Sequence, residues 1–139
     1  MAWYANESEP LISLEGRSIL LLEDESLIVL DVMLALESSG ALVLGRSNAR
    51  DALELVAAEP IDAAVLDITL GDGETCEPVA ERLAERDVPF LLQSGDAARH
   101  ADLIARLGAP LVVKPFPSHR LAARLAHCIG MRERRRAEG

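Results

Sequence analysis

The sequence predicts an α/β fold built on an open parallel sheet, and three observations carry that expectation. Five short aliphatic runs recur along the chain, longer segments of helical period separate them, and 139 residues, half of them apolar, suffice for one domain with its own core. Aromatic residues make up only 3%, so that core has to be aliphatic. Each run is brief and almost wholly apolar, as strands covered by helices on both faces should be.

The first unit is expected to pair a strand over Ser18 to Leu22 with a helix over Ser26 to Ser39, closed by Gly40. The second pairs Ala41 to Gly45 with a helix from Asn48 to Ala58, for which Ser47 or Asn48 supplies the N-cap. In the third, Ala63 to Leu66 precedes a helix from Glu74 to Arg86. The fourth joins Phe90 to Gln93 with a helix from Ala97 to Leu107, ended by Gly108. The fifth joins Leu111 to Val113 with a helix from Ser118 to Ile129, capped by Ser118 after Pro117. Leu121, Leu125, Cys128 and Ile129 fall on one stripe of that last helix, so it should pack on the sheet with its arginines outward.

The first helix breaks the usual economy of one apolar stripe. Residues 27–36, LIVLDVMLAL, are apolar at nine of ten positions. Ile28, Val32, Ala35 and Leu36 satisfy the sheet, which leaves Val29, Leu30, Met33 and Leu34 on outer faces, the composition of an interface. A partner surface is the first reading and homodimerisation the second. The competing account is that Trp3, Leu11, Ile12 and Leu14 fold back over it.

Two flanks lie outside the alternation: an N-terminal extension, 1–15, and a basic C-terminal tail, 131–139, MRERRRAEG. The net charge of −9 argues against nucleic acid as the partner and favours a multivalent cation or a basic protein. Cys76 and Cys128 form no C-x-x-C pair, and read as buried thiols of a reducing compartment. No basic leader and no apolar stretch approaching the roughly 20 residues of a membrane span is present, so a cytoplasmic location away from the membrane is expected.

Ligands of open parallel α/β sheets bind beyond the carboxyl ends of the strands. There the first strand delivers Glu23 and Asp24, the third Asp67, the fourth Ser94 and Gly95, and the fifth Lys114 and Pro115. Three carboxylates at one edge repel one another unless a cation sits among them, and short acidic side chains with a backbone carbonyl and waters suit Mg²⁺. Lys114 is the only lysine, against 13 arginines, so the chain's one compact ammonium stands at this edge. A carboxylate beside a metal, a hydroxyl and an ammonium can accept a phosphoryl group. Gly95 leaves space for the donor. As separate residues these have plainer readings: Glu23 and Asp24 as helix-start acids, Ser94 as a turn residue. His100, His119 and His127 read as surface or helix-flanking residues.

These residues resemble the response-regulator receiver domains of two-component signalling, over residues 16–130. LLLEDE matches the family's acidic pair, AAVLDITL its phosphoacceptor strand, LLQSGD its hydroxyl strand and LVVKPF its Lys-Pro-Phe end. The resemblance implies a flavodoxin-like doubly wound (βα)5 sandwich with a five-stranded parallel sheet of order 2-1-3-4-5. It implies that Asp67 accepts phosphate from a histidine kinase or histidine phosphotransfer protein. It further implies that Asp24, Asp67 and the Thr69 carbonyl ligate Mg²⁺ with Glu23 helping through water, and that Ser94 and Lys114 hold the phosphoryl group. Such a domain catalyses only its own phosphorylation and dephosphorylation and is not otherwise an enzyme.

LDITLGDGETCEPVAERL followed by VPFLLQSGD is similar to the FAT GUY receivers of alphaproteobacteria. Pro89, Phe90 and Gly95 agree, whereas Ser94 and Asp96 stand where that subgroup has threonine and tyrosine. Leu111 occupies the position of the aromatic switch of most receivers, which FAT GUY receivers also lack. A phosphatase of the haloacid-dehalogenase type is a rival, but it wants an acid where Thr69 stands. A flavodoxin-like cofactor carrier is another, but Glu23, Asp24 and Glu25 would repel its phosphate. With no output domain after residue 130, the chain reads as a single-domain regulator or a receiver excised from a hybrid histidine kinase.

Overall fold

The computed structural model describes residues 13–139. Five parallel strands, β1 (Ser18–Leu22), β2 (Leu42–Arg46), β3 (Ala63–Asp67), β4 (Phe90–Ser94) and β5 (Leu111–Val113), form one sheet of order β2-β1-β3-β4-β5. Between and after them run α1 (Ser26–Glu37), α2 (Ala49–Ala58), α3 (Glu77–Glu85), α4 (Ala101–Leu107) and α5 (Leu121–Glu138). The doubly wound α/β sandwich and its strand order are as expected.

Strand alternation sorts the apolar side chains into two layers. Ile19, Leu21, Ala63, Val65, Leu91 and Val112 face α1 and α5, where Val32, Leu36, Leu121 and Leu125 meet them. Leu20, Leu22, Ala64, Leu66, Phe90 and Leu92 face the opposite way, onto Leu55, Val79 and Leu83 of α2 and α3. Both β1 and β3 are buried along almost their whole length, so their registry fixes what lies at the sheet's carboxyl edge.

Several boundaries differ from expectation, for local reasons. Asn48 rather than Ser47 caps α2, accepting a hydrogen bond from the Asp51 amide at 2.8 Å. Ser118 makes no capping bond; it opens a 3-10 turn, Ser118–Arg120, that leads into α5. The segment 74–76, expected as the first turn of a helix, instead follows a 3-10 turn at Gly71–Gly73 and carries a bridge between Thr69 and Thr75, so α3 starts only at Glu77, with Pro78 in its first turn. Likewise α4 starts at Ala101, because Ala97 to His100 form turns instead. Gly108 closes α4 in the left-handed conformation, φ 63°.

The largest difference is at the end. The helix expected to stop at Ile129 continues to Glu138. Asp87, at φ 58° after α3, sits beside Arg132, Arg135 and Arg136, and the Arg136 Nε donates to Asp87 Oδ2 at 2.9 Å. Arg17 Nη2 reaches Glu133 Oε1 at 2.7 Å from the other side. Exposed ion pairs accompany these turns, which carry no apolar periodicity.

In α1 the outward set is also redrawn. Val29 and Met33 are half-buried, packed toward the Gly45 edge of β2. Leu27, Leu30 and Leu34 form the exposed stripe, at 83%, 56% and 58% exposure. Of the residues expected to fold back over it, Leu14 is buried in the layer under α1 and α5, its amide donating to the Ser39 carbonyl. Trp3, Leu11 and Ile12 lie outside the described residues. Among the described residues no helix is long and apolar enough to cross a membrane.

Candidate functional site

Alternation carries three charged residues onto one face at the carboxyl edge. Glu23 extends the Ile19 and Leu21 row, Asp67 the Ala63 and Val65 row, and Lys114 follows Val112 by two residues, so all three continue the face toward α1 and α5. The Lys114 Nζ donates to Glu23 Oε1 at 2.9 Å and stands 3.1 Å from Asp67 Oδ2. One ammonium thus bridges acids from the first and third strands. Glu23 is held further by the Glu25 amide, which donates to its Oε2 at 3.2 Å.

Asp24, in the turn after β1, is exposed, whereas Glu23 and Asp67 are buried. Carboxylate oxygens of the three lie within 4.8 Å of one another. Three hard oxygen donors at that spacing fit a small divalent cation, with waters completing its shell. A Cβ at Gly71 would stand 3.6 Å from Asp24 Oδ2, so the loop after β3 closes on this acid from its far side.

The electrostatics follow from burial. The Asp67 carboxyl is pushed up to about 7, first by desolvation and then by the charge on Glu23, with Lys114 pulling the other way. For Lys114, burial opposes the charge, but the hydrogen bonds to Glu23 and Asp67 outweigh it and raise the ammonium above its ordinary value. The Cys76 thiol, buried under the loop, is pushed up to about 12 by desolvation and then by Asp67. It is a closed, unreactive thiol.

The remaining expected residues are near, in different senses. Asp67 pairs in register with Gln93, so Ser94 stands one residue along the neighbouring strand. Ser94 is buried and its Oγ accepts from the Asp96 amide at 3.0 Å, which is the turn role considered for it. Its carbonyl accepts from the Lys114 amide at 2.9 Å, tying the hydroxyl strand to the lysine strand. Thr69 is exposed, two residues past Asp67.

Two residues escaped sequence reasoning. His100, read as a surface histidine, has its Nε2 3.0 Å from Thr69 Oγ1 and joins the loops after β3 and β4. Gln93 is a buried polar residue in the midst of this edge, and among the described residues its Oε1 has no hydrogen-bond partner. A polar side chain in an otherwise apolar strand was the visible signal for Gln93; for His100 there was none, since loop geometry makes the contact.

Known proteins resemble this chain in both sequence and fold. The solution structure of SdrG from Sphingomonas melonis Fr1 is 35% identical, covers 81% of this chain and 95% of its own, and superposes with a TM-score of 0.69. A response regulator receiver protein from Sinorhizobium medicae WSM419 is 31% identical over 86% of this chain and 99% of its own, with a TM-score of 0.74. A CheY-like receiver from Methanospirillum hungatei JF-1, at 20% identity and a TM-score of 0.78, covers 86% of this chain and 98% of its own and shares the fold. Among curated proteins, the regulatory protein VirG of Rhizobium rhizogenes is 34% identical over 83 residues, 58% of this chain; the chain spans about a third of its length. No family model matches. With a response regulator receiver protein matched at 31% identity along 99% of its length, and the doubly wound fold shared, the chain belongs to the response-regulator receiver domains of two-component signalling.

Proposed function

We propose that this receiver accepts a phosphoryl group on Asp67 from a histidine kinase or histidine phosphotransfer protein, in a Mg²⁺-dependent step. The observation that carries it is the Lys114 ammonium, 3.1 Å from Asp67 Oδ2, beside three carboxylates gathered within 4.8 Å. In the transfer an Asp67 oxygen forms a bond to phosphorus as the phosphorus–nitrogen bond to the donor imidazole breaks, and the electron pair stays on the imidazole. Lys114 offsets charge on a phosphoryl oxygen, and the Ser94 hydroxyl donates to another. Glu23, Asp24, Asp67 and the Thr69 carbonyl would hold Mg²⁺, which when bound neutralises charge on the phosphoryl oxygens. The chain turns over no other substrate: its chemistry is its own phosphorylation and dephosphorylation.

The receiver unit is read as residues 16–130 between two flanks, and its setting as the cytoplasm, where histidine donors are met. The α1 stripe of Leu27, Leu30 and Leu34 begins three residues from Asp24, which supports it as the donor's docking surface, ahead of a homodimer contact. The FAT GUY likeness rests on Pro89, Phe90 and Gly95.

Acetyl phosphate with Mg²⁺ is expected to give a single hydroxylamine-labile adduct on the native chain and none on Asp67→Ala. An undiminished adduct on that variant would falsify the assignment.

A further inference from the structure

Helix α4 is thinly packed. Its seven residues bury one side chain, Leu103, with Ile104 and Leu107 half-buried against the same layer, whereas α2 buries four residues and α5 five. An element with so few buried apolar contacts opens easily, and its docking depends on what else ties it down. Among the described residues two side-chain links do so. At the last turn Arg106 Nη2 donates to Glu77 Oε2 of α3 at 2.9 Å, a largely exposed pair of the kind that contributes little. At the first turn His100, the residue immediately before α4, gives α4 no side-chain cap; its ring is instead 3.0 Å from Thr69 Oγ1. A hydroxyl and a neutral imidazole can each donate or accept, so the bond forms with either tautomer.

Thr69 is the residue whose carbonyl the proposed site uses. We propose that His100 is a positioning residue for that site: through Thr69 it couples the cation-holding loop after β3 to the start of α4, so that filling the site secures α4. The proposal rests on the phosphoacceptor reading above. Because coupling between binding and docking is reciprocal, the factor by which Mg²⁺ secures the helix is also the factor by which the docked helix strengthens Mg²⁺ binding, and loss of the link removes both.

The test uses the full chain and Mg²⁺ alone, with hydrogen exchange of the α4 amides and calorimetric titration as readouts. Thr69→Val keeps the backbone carbonyl and removes only Oγ1; His100→Ala removes the ring; His100→Gln keeps a group able to hydrogen-bond. In the native chain Mg²⁺ should slow exchange over 101–107 several-fold while leaving β1 and β3 unchanged. Thr69→Val and His100→Ala should abolish that slowing and bind Mg²⁺ roughly 5-fold more weakly, the low end of ordinary coupling. His100→Gln should recover part of both. Equal slowing of α4 in all variants overturns the link while leaving the phosphoacceptor site standing. Failure of the native chain to bind Mg²⁺, or unchanged binding in Asp24→Asn, overturns the site and the link together.

Discussion

A carboxylate that accepts a phosphoryl group has to be ionised, yet Asp67 is buried beside a second buried acid. Its carboxyl therefore lies near 7, raised by desolvation and by Glu23 despite Lys114. Between the ordinary value of 3.8 and about 7 the folded chain holds a proton that the unfolded chain has released. Stability in metal-free buffer should thus fall as pH rises through that window, by on the order of a few kcal/mol. Asp67→Asn carries no charge at any pH, and Lys114 keeps its bond to Glu23 in that variant. Denaturant melts in chelator should show Asp67→Asn more stable than the native chain at pH 8, with the gap narrowing as pH falls and closing near 3.8. A constant difference across that range would mean that Asp67 does not titrate there.

At the level of elements, strands were more legible than helix ends. β1 and β5 fall where their apolar runs place them, because a strand covered on both faces has to be apolar throughout. The starts of α3 and α4 were misjudged because Glu74–Cys76 goes into a bridge to Thr69 and a bend, and Ala97–His100 into turns, a choice that hydrophobic period does not record. The last turns of α5 were missed for a related reason: they carry no apolar period, and their arginines meet Asp87, forty-odd residues upstream. The site showed the same division. Glu23, Asp67 and Lys114 were legible because strand ends converge at one edge, while the contact of His100 with Thr69 depends on two loops. In α1 the apolar excess was legible and its precise direction was not, since Val29 and Met33 turn toward β2. Leu30, more than half exposed, is therefore the residue to change. Leu30→Glu should move stability by no more than about 0.5 kcal/mol, as exposed substitutions do. It should slow phosphotransfer from the cognate histidine donor at least tenfold and leave acetyl phosphate labelling intact. Parallel loss of both reactions would show the stripe to be structural; intact phosphotransfer with a lost dimer in sedimentation would assign it to a second copy.

Across the whole molecule the sheet does two opposed things. Along its length it separates two aliphatic layers that hold the fold, and at its carboxyl edge it gathers three acids against one ammonium. In a chain already at −9, two uncompensated negative charges at one point are a standing cost that a divalent cation removes. Anything that binds the folded chain alone stabilises it by mass action, about 2.7 kcal/mol at a hundredfold excess over the dissociation constant. For a chain of this size that raises the melting temperature by roughly 5 to 10 °C. Asp24 is the exposed member of the trio, so Asp24→Asn disturbs no packing and removes one of the repelling charges. The variant should melt higher than the native chain in chelator and gain little from Mg²⁺, so that the order of the two melting temperatures reverses as the ion is added. Sodium chloride at matched ionic strength screens charge at a distance but supplies no ligand for the three oxygens, and should not reproduce the native gain. Equal Mg²⁺ shifts in both proteins would mean that the ion acts on the acidic surface at large, and that the three carboxylates do not form one site.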